Sequence, residues 1–81
     1  MLFRSGSSRD TSILFINRTA KPISLHWLDF KGEQQFYAKV LAGQTHAQQT
    51  FSGHRWLIAD ETGQPLGAVV GDDEPSKAVI E

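Results

Sequence analysis

Short apolar segments separated by turn signals recur along the whole chain at a spacing of about 8–12 residues, and no stretch shows a sustained helical period. The pattern predicts seven strands, at residues 12–16, 23–30, 33–40, 45–51, 55–59, 66–70 and 78–80. Strands of this length and rhythm are typical of a β-sandwich or a small barrel. We predict an all-β fold, a seven-stranded antiparallel β-sandwich.

The side-chain pattern also predicts where some strands lie in their sheets. Residues 23–30 carry apolar side chains on both faces, which favours an inner strand. Residues 45–51 are polar except at their end, which favours an edge strand or an extended loop. Lys31-Gly32 is a two-residue turn signal, so the segment after it is expected to fold back as a hairpin partner. Asn17 is read as a structural corner residue that bonds loop backbone.

Length and composition indicate one domain with one core. The chain has 81 residues, of which 40% are hydrophobic, and its formal net charge of −1 does not favour nucleic acid or an anionic membrane as a partner. We expect residues 1–81 to form a single domain, with residues 1–11 as an N-terminal arm. The absence of cysteine excludes disulfides and thiolate chemistry and fits a reducing compartment. No signal peptide is recognisable, so a cytoplasmic location is expected.

The sequence offers little that supports catalysis or metal binding. The three histidines, His26, His46 and His54, lack the close spacing of a metal site. No nucleophile elbow, phosphate-binding glycine loop or paired carboxylates are present. We therefore expect a protein that is not an enzyme and that needs no metal or cofactor.

Both tryptophans and the single tyrosine fall within strand-like runs, as Trp27, Tyr37 and Trp56, and His54 follows a turn glycine. Such a set can form an aromatic box with a polar gate, which favours binding over chemistry. The alternative is that the rings are ordinary core residues of a sandwich and that His54 is an ordinary turn residue.

Three motifs follow one another in the first 60 residues: Asn17-Arg18-Thr19, the run Trp27-Leu28-Asp29-Phe30-Lys31-Gly32-Glu33, and the run Gly53-His54-Arg55-Trp56-Leu57. In this order, across residues 2–60, they resemble the β domain of the von Hippel–Lindau (VHL) tumour suppressor family. After Gly63 only the rhythm of strands and turns matches.

The resemblance implies a seven-stranded sandwich that captures a peptide containing 4-hydroxyproline. In that family two tryptophans and a tyrosine surround the proline ring, and these positions are Trp27, Tyr37 and Trp56. A histidine and a hydroxyl residue bond the proline hydroxyl, and these positions are His54 and Thr50. The polar groups of Tyr37 and the tryptophans are expected to remain available for the peptide backbone.

Some positions depart from the family pattern. Gln49 replaces a histidine that contacts the peptide, Ser7 replaces an asparagine, and Thr50 replaces a serine. Arg9 is a candidate for holding a peptide carbonyl or an acidic side chain. The family's helical domain, which recruits elongin and a cullin ligase, has no counterpart here, so those partners are not expected.

Two other functions stay open on the sequence. The domain could be a structural or oligomerisation scaffold that kept the fold and lost hydroxyproline recognition. The same cleft could also take another small ligand with polar and apolar parts.

Overall fold

The computed structural model describes residues 9–81 and contains seven strands in that range. They are β1 (Asp10–Asn17), β2 (Ile23–Leu28), β3 (Gln34–Val40), β4 (Thr45–Phe51), β5 (Arg55–Asp60), β6 (Pro65–Val70) and β7 (Ser76–Ile80). No helix is present in this part of the chain, so none is available to cross a membrane. The all-β prediction is confirmed.

The strands form two sheets. One has three strands in the order β4-β1-β7, and the other has four in the order β3-β2-β5-β6. Four of the five strand pairings are antiparallel, but β1 and β7 run parallel, which the sequence analysis did not predict. These two strands are far apart in the chain, so no hairpin fixes their relative direction.

The predicted positions of two strands are confirmed. The inner strand β2 lies between β3 and β5, and the polar strand β4 is an edge strand. The core between the sheets follows from alternation along the strands, because every second side chain faces inward. Its buried members are Ile13, Phe15, Ile23, Leu25, Val40, Trp56, Ile58, Ala78 and Ile80.

The hairpin between β2 and β3 is present, but its loop spans residues 29–33 and is longer than the two-residue turn predicted. The Asp29 carboxylate accepts hydrogen bonds from the backbone N–H groups of Lys31 and Glu33, each at 2.9 Å. The Glu33 N–H is the main cause that lowers the pKa of Asp29 below its ordinary 3.8. A lowered pKa means that this contribution to stability is present above the ordinary value and is lost as the pH falls through the lowered one.

Asn17 is fully buried and holds the corner after β1, as predicted. Its Nδ2 donates to the carbonyl oxygens of Lys21 at 2.8 Å, Val40 at 3.0 Å and Leu41 at 3.2 Å. Its Oδ1 accepts from the N–H of Thr19 at 2.9 Å and from the hydroxyl of the same residue at 2.7 Å. One side chain thus joins the β1–β2 corner to the end of β3.

We expect Asn17→Ala to lower the free energy of unfolding by about 2–3 kcal/mol, because buried carbonyl groups lose their donor. Urea unfolding followed by circular dichroism measures the change. Arg18→Ala is the control, since its side chain is exposed and makes one surface ion pair with Glu81. That control is expected to change stability by less than about 0.5 kcal/mol. Equal stabilities for the two variants would contradict the role of Asn17.

Candidate functional site

The edge strands β3 and β4 of the two sheets border one side of the sandwich, and a cleft of about 170 Å³ opens there. We call it the aromatic cleft. It is lined by Trp27, Tyr37, Gln49, Thr50, Phe51, His54 and Trp56. Six of the eight predicted site residues therefore lie together. The lining also includes Phe51, which was predicted only as an apolar strand residue.

Strand register and one bulge place the three predicted aromatic walls. Trp27 on β2 and Trp56 on β5 are direct cross-strand partners. On β3 the register with β2 shifts so that Ala38 and Phe36 are paired while Tyr37 has no partner. A bulge of this kind re-aims a side chain. The Tyr37 ring meets the Trp56 ring edge-on, with centroids 4.9 Å apart.

His54 lies in the turn between β4 and β5, directly after Gly53, whose φ is +86°. Its N–H donates to the carbonyl of Phe51 at 3.1 Å. Its ring stacks on Trp27 with a centroid distance of 5.4 Å and an interplanar angle of 24°, and it also contacts Phe51 at 5.3 Å. No side chain within residues 9–81 bonds the His54 ring nitrogens.

Thr50 and Trp56 are joined to each other. The indole Nε1 of Trp56 donates to Oγ1 of Thr50 at 2.9 Å, and both residues are buried. This corrects the expectation that both tryptophans keep their polar groups for the peptide backbone, because that of Trp56 is already bonded. It also fixes the Thr50 oxygen, which retains its own O–H to donate.

Trp56 combines two roles that the sequence analysis treated as alternatives. It is only 2% exposed and packs with Phe15 in the core, with ring centroids 6.3 Å apart. It also lines the aromatic cleft. Trp27 is partly buried and packs against the core from the cleft side. The walls of the cleft are therefore continuous with the core, which holds them in place.

The remaining predicted site residues differ in position. Gln49 is exposed on β4 and lines the cleft. Arg9 does not line it. The Arg9 N–H donates to Oγ of Ser52 at 3.3 Å, and its carbonyl accepts from the Ser52 N–H at 2.9 Å, so its backbone is anchored beside the turn that carries His54. Ser7 lies outside the described residues.

Gly71 supports the same turn and was missed by the sequence analysis. Its N–H donates to the His54 carbonyl and its carbonyl accepts from the Gly53 N–H, both at 2.9 Å. A Cβ at this position would lie 2.5 Å from the Phe51 carbonyl oxygen, so only glycine fits without a shift of backbone. In the sequence, Gly71 is visible only as the first residue of the acidic turn after β6. Its contact with Phe51 could not be predicted, because the two residues are far apart in the chain.

Among residues 9–81, the lining of the cleft contains no carboxylate, lysine or arginine. Within residues 9–81, no group of His, Asp and Glu side chains could hold a metal ion. A Ser24–His26 pair at 2.9 Å lies outside the cleft, on β2. The His26 Nδ1 is buried and has no hydrogen-bond partner among residues 9–81.

The sequence model of the family described as the VHL beta domain matches residues 3–73. The match extends beyond Asp60, where the residue-level resemblance ended, and includes β6. Because it covers most of the chain, and the fold is a seven-stranded β-sandwich, the family assignment is clear. The chain belongs to the VHL β-domain family.

Proposed function

We propose that this domain is a non-catalytic peptide-binding module that holds a proline-containing segment, preferably one with 4-hydroxyproline, in the aromatic cleft. The observation that carries the proposal is the convergence of Trp27, Tyr37 and Trp56 with the Thr50 hydroxyl and the His54 imidazole at one opening. Membership of a family of protein-recognition domains supports it.

The cleft suits a small saturated ring. Its volume of about 170 Å³ compares with about 30 Å³ for one water molecule in the liquid, so a ring of five heavy atoms fits. Aromatic walls bury such a ring with little loss of side-chain entropy, since each aromatic residue has only two rotatable bonds. The part of the affinity that comes from burial of the ring is therefore the same for proline and for hydroxyproline.

The polar groups of the cleft can form a series of hydrogen bonds that ends at a hydroxyl group of the ligand. The Trp56 N–H donates to Thr50, which leaves the Thr50 O–H free to donate to a ligand oxygen. A neutral His54 ring can accept the proton of the same ligand hydroxyl. One hydroxyl on the proline ring then both accepts and donates a hydrogen bond.

Discrimination follows from what unmodified proline leaves unpaired. Each buried polar group without a partner costs about 1–3 kcal/mol, so two such groups disfavour proline by about 2–6 kcal/mol. A water molecule retained in the cleft reduces this difference. The ring walls contribute nothing to it, because both ligands carry the same ring.

The edge strand β4 offers a path for the rest of the peptide. Within residues 9–81 it pairs only with β1, so its other edge can add an extended segment as a further strand. Gln49 lies along this path, and Arg9 lies beside the turn that follows it. Main-chain hydrogen bonds to β4 would supply affinity that does not depend on sequence.

We expect Tyr37→Ala to weaken binding of a hydroxyproline peptide about tenfold or more, because one wall of the cleft is lost. Fluorescence of the two tryptophans during peptide titration reports the dissociation constant. Tyr37 is 51% exposed, so its removal should leave the fold intact.

Phe36→Ala is the matched control for this variant. Phe36 precedes Tyr37 on β3, is 62% exposed and contacts His26 instead of lining the cleft. Its removal should change the dissociation constant by less than about twofold. If both variants bind like the unmodified domain, the peptide does not occupy the aromatic cleft.

A further inference from the structure

In the part of the chain that the structure describes, the outer edge of β7 is open on the side of the sandwich away from the aromatic cleft. β7 pairs with β1 on one side, and no strand within residues 9–81 pairs with its other side. A second, apolar cleft of about 440 Å³ lies between β7 and β6, and Leu66 and Val79 are among the residues that line it. The side chain of Val79 is 46% exposed.

The hydrogen bonds of β7 show which of its backbone groups are free. The carbonyl of Ile80 accepts from the N–H of Arg18, at the end of β1, at 2.8 Å. In a strand the N–H and C=O of successive residues point to opposite sides. The backbone N–H and C=O groups of Ala78 and Ile80 therefore point towards β1. Those of Lys77, Val79 and Glu81 point to the open edge.

We propose that this edge pairs with the same edge of a second copy of the chain, antiparallel and centred on Val79. A two-fold axis at Val79 places each Val79 opposite the other and each Lys77 opposite Glu81 of the second copy. All of these positions carry outward-directed backbone groups, so each pair can exchange two hydrogen bonds. The alternation of backbone direction along β7 therefore permits this register.

The side chains complement each other in the same register. Lys77, Val79 and Glu81 are exposed and share one face of the strand, while Ala78 and Ile80 are buried on the other. Self-pairing thus brings two opposite-charge pairs beside a central apolar pair, an arrangement that favours association. A lysine on an edge strand ordinarily discourages pairing, and here it selects a partner with a glutamate opposite.

The present partner of Glu81 does not prevent this arrangement. Its carboxylate lies 3.6 Å from the Arg18 guanidinium, with the two side chains 70% and 64% exposed. Exposed ion pairs of this kind contribute little. The inference does not rest on the proposed peptide function. It leaves both aromatic clefts open at the far ends of the pair, so a dimer would bind two peptide segments at once.

Sedimentation equilibrium of the full chain from about 1 μM to about 1 mM, the range of weak to moderate affinities, tests the proposal. The mass should rise from 9.0 kDa towards twice that value. Lys77→Glu should raise the dissociation constant about tenfold, because two attractive pairs become repulsive together. Exchanging the charges, with Lys77→Glu and Glu81→Lys combined, should restore the dissociation constant to within about threefold of that of the unmodified chain.

Lys39→Glu is the control, since it makes the same charge change on the exposed face of β3. It should associate like the unmodified chain. A mass of 9.0 kDa at every concentration would overturn the proposal, as would a Lys77→Glu variant that associates normally or a charge exchange that fails to restore association. Peptide titrations of the same variants keep this outcome separate from that of the proposed function.

Discussion

Replacing Trp56 with alanine is expected to lower the free energy of unfolding by about 3–5 kcal/mol, the range for removing a buried aromatic side chain. Trp56 is 2% exposed, packs on Phe15 and bonds the buried Thr50 hydroxyl. Domains of this size are near the lower end of the usual 5–15 kcal/mol of stability. The variant should therefore unfold at much lower urea concentrations, and peptide binding should be lost with the fold.

Two further variants separate the causes. Trp56→Phe keeps a ring but removes the N–H, and we expect a smaller loss of about 1–3 kcal/mol. Trp27→Ala removes a partly buried ring at the edge of the core and should cost less stability than Trp56→Ala while still weakening binding. If Trp56→Ala costs less than about 1 kcal/mol, Trp56 does not anchor the cleft to the core.

The second large effect concerns the hydroxyl group of the ligand. We expect His54→Phe to lower the preference for hydroxyproline over proline about tenfold, the share of one of the two polar groups, while proline binding stays within about threefold. Phenylalanine keeps a flat ring against Trp27 and Phe51 but has no nitrogen to bond the alcohol. The ratio of the two dissociation constants, measured by tryptophan fluorescence with paired peptides, reports the change.

Thr50 provides the comparison for this experiment. Thr50→Ser keeps the hydroxyl that accepts from Trp56, so the preference should remain. Thr50→Val removes it and leaves the indole N–H without an acceptor, so part of the preference and about 1–3 kcal/mol of stability should be lost. A His54→Phe variant that keeps the full preference for hydroxyproline would show that His54 does not bond the ligand hydroxyl.

Local patterns in the sequence predicted most of the fold. Apolar residues on both faces favoured an inner position for β2, and the polar run favoured an edge strand or an extended loop for β4, of which the structure shows the edge strand. Turn signals separated the strands, and the corner role of Asn17 followed from its side-chain chemistry. These features depend on neighbours in the chain, so a single sequence contains the information.

Features that depend on contacts between distant segments were not predicted. The parallel pairing of β1 with β7 joins strands from opposite ends of the domain. The bulge that aims Tyr37 into the cleft depends on register with β2, and the bond from Trp56 to Thr50 crosses between the sheets. Resemblance to a family predicted which residues belong to the site. The hydrogen bond that occupies the Trp56 N–H is visible only in the structure.

Titration of the unmodified domain with two otherwise identical peptides, one with proline and one with 4-hydroxyproline, measures directly whether the aromatic cleft recognises the hydroxyl group. Two polar groups left unpaired by proline predict that the hydroxylated peptide binds at least about 30-fold more tightly. Equal dissociation constants for the two peptides, or no binding of either, would contradict hydroxyproline recognition by the aromatic cleft.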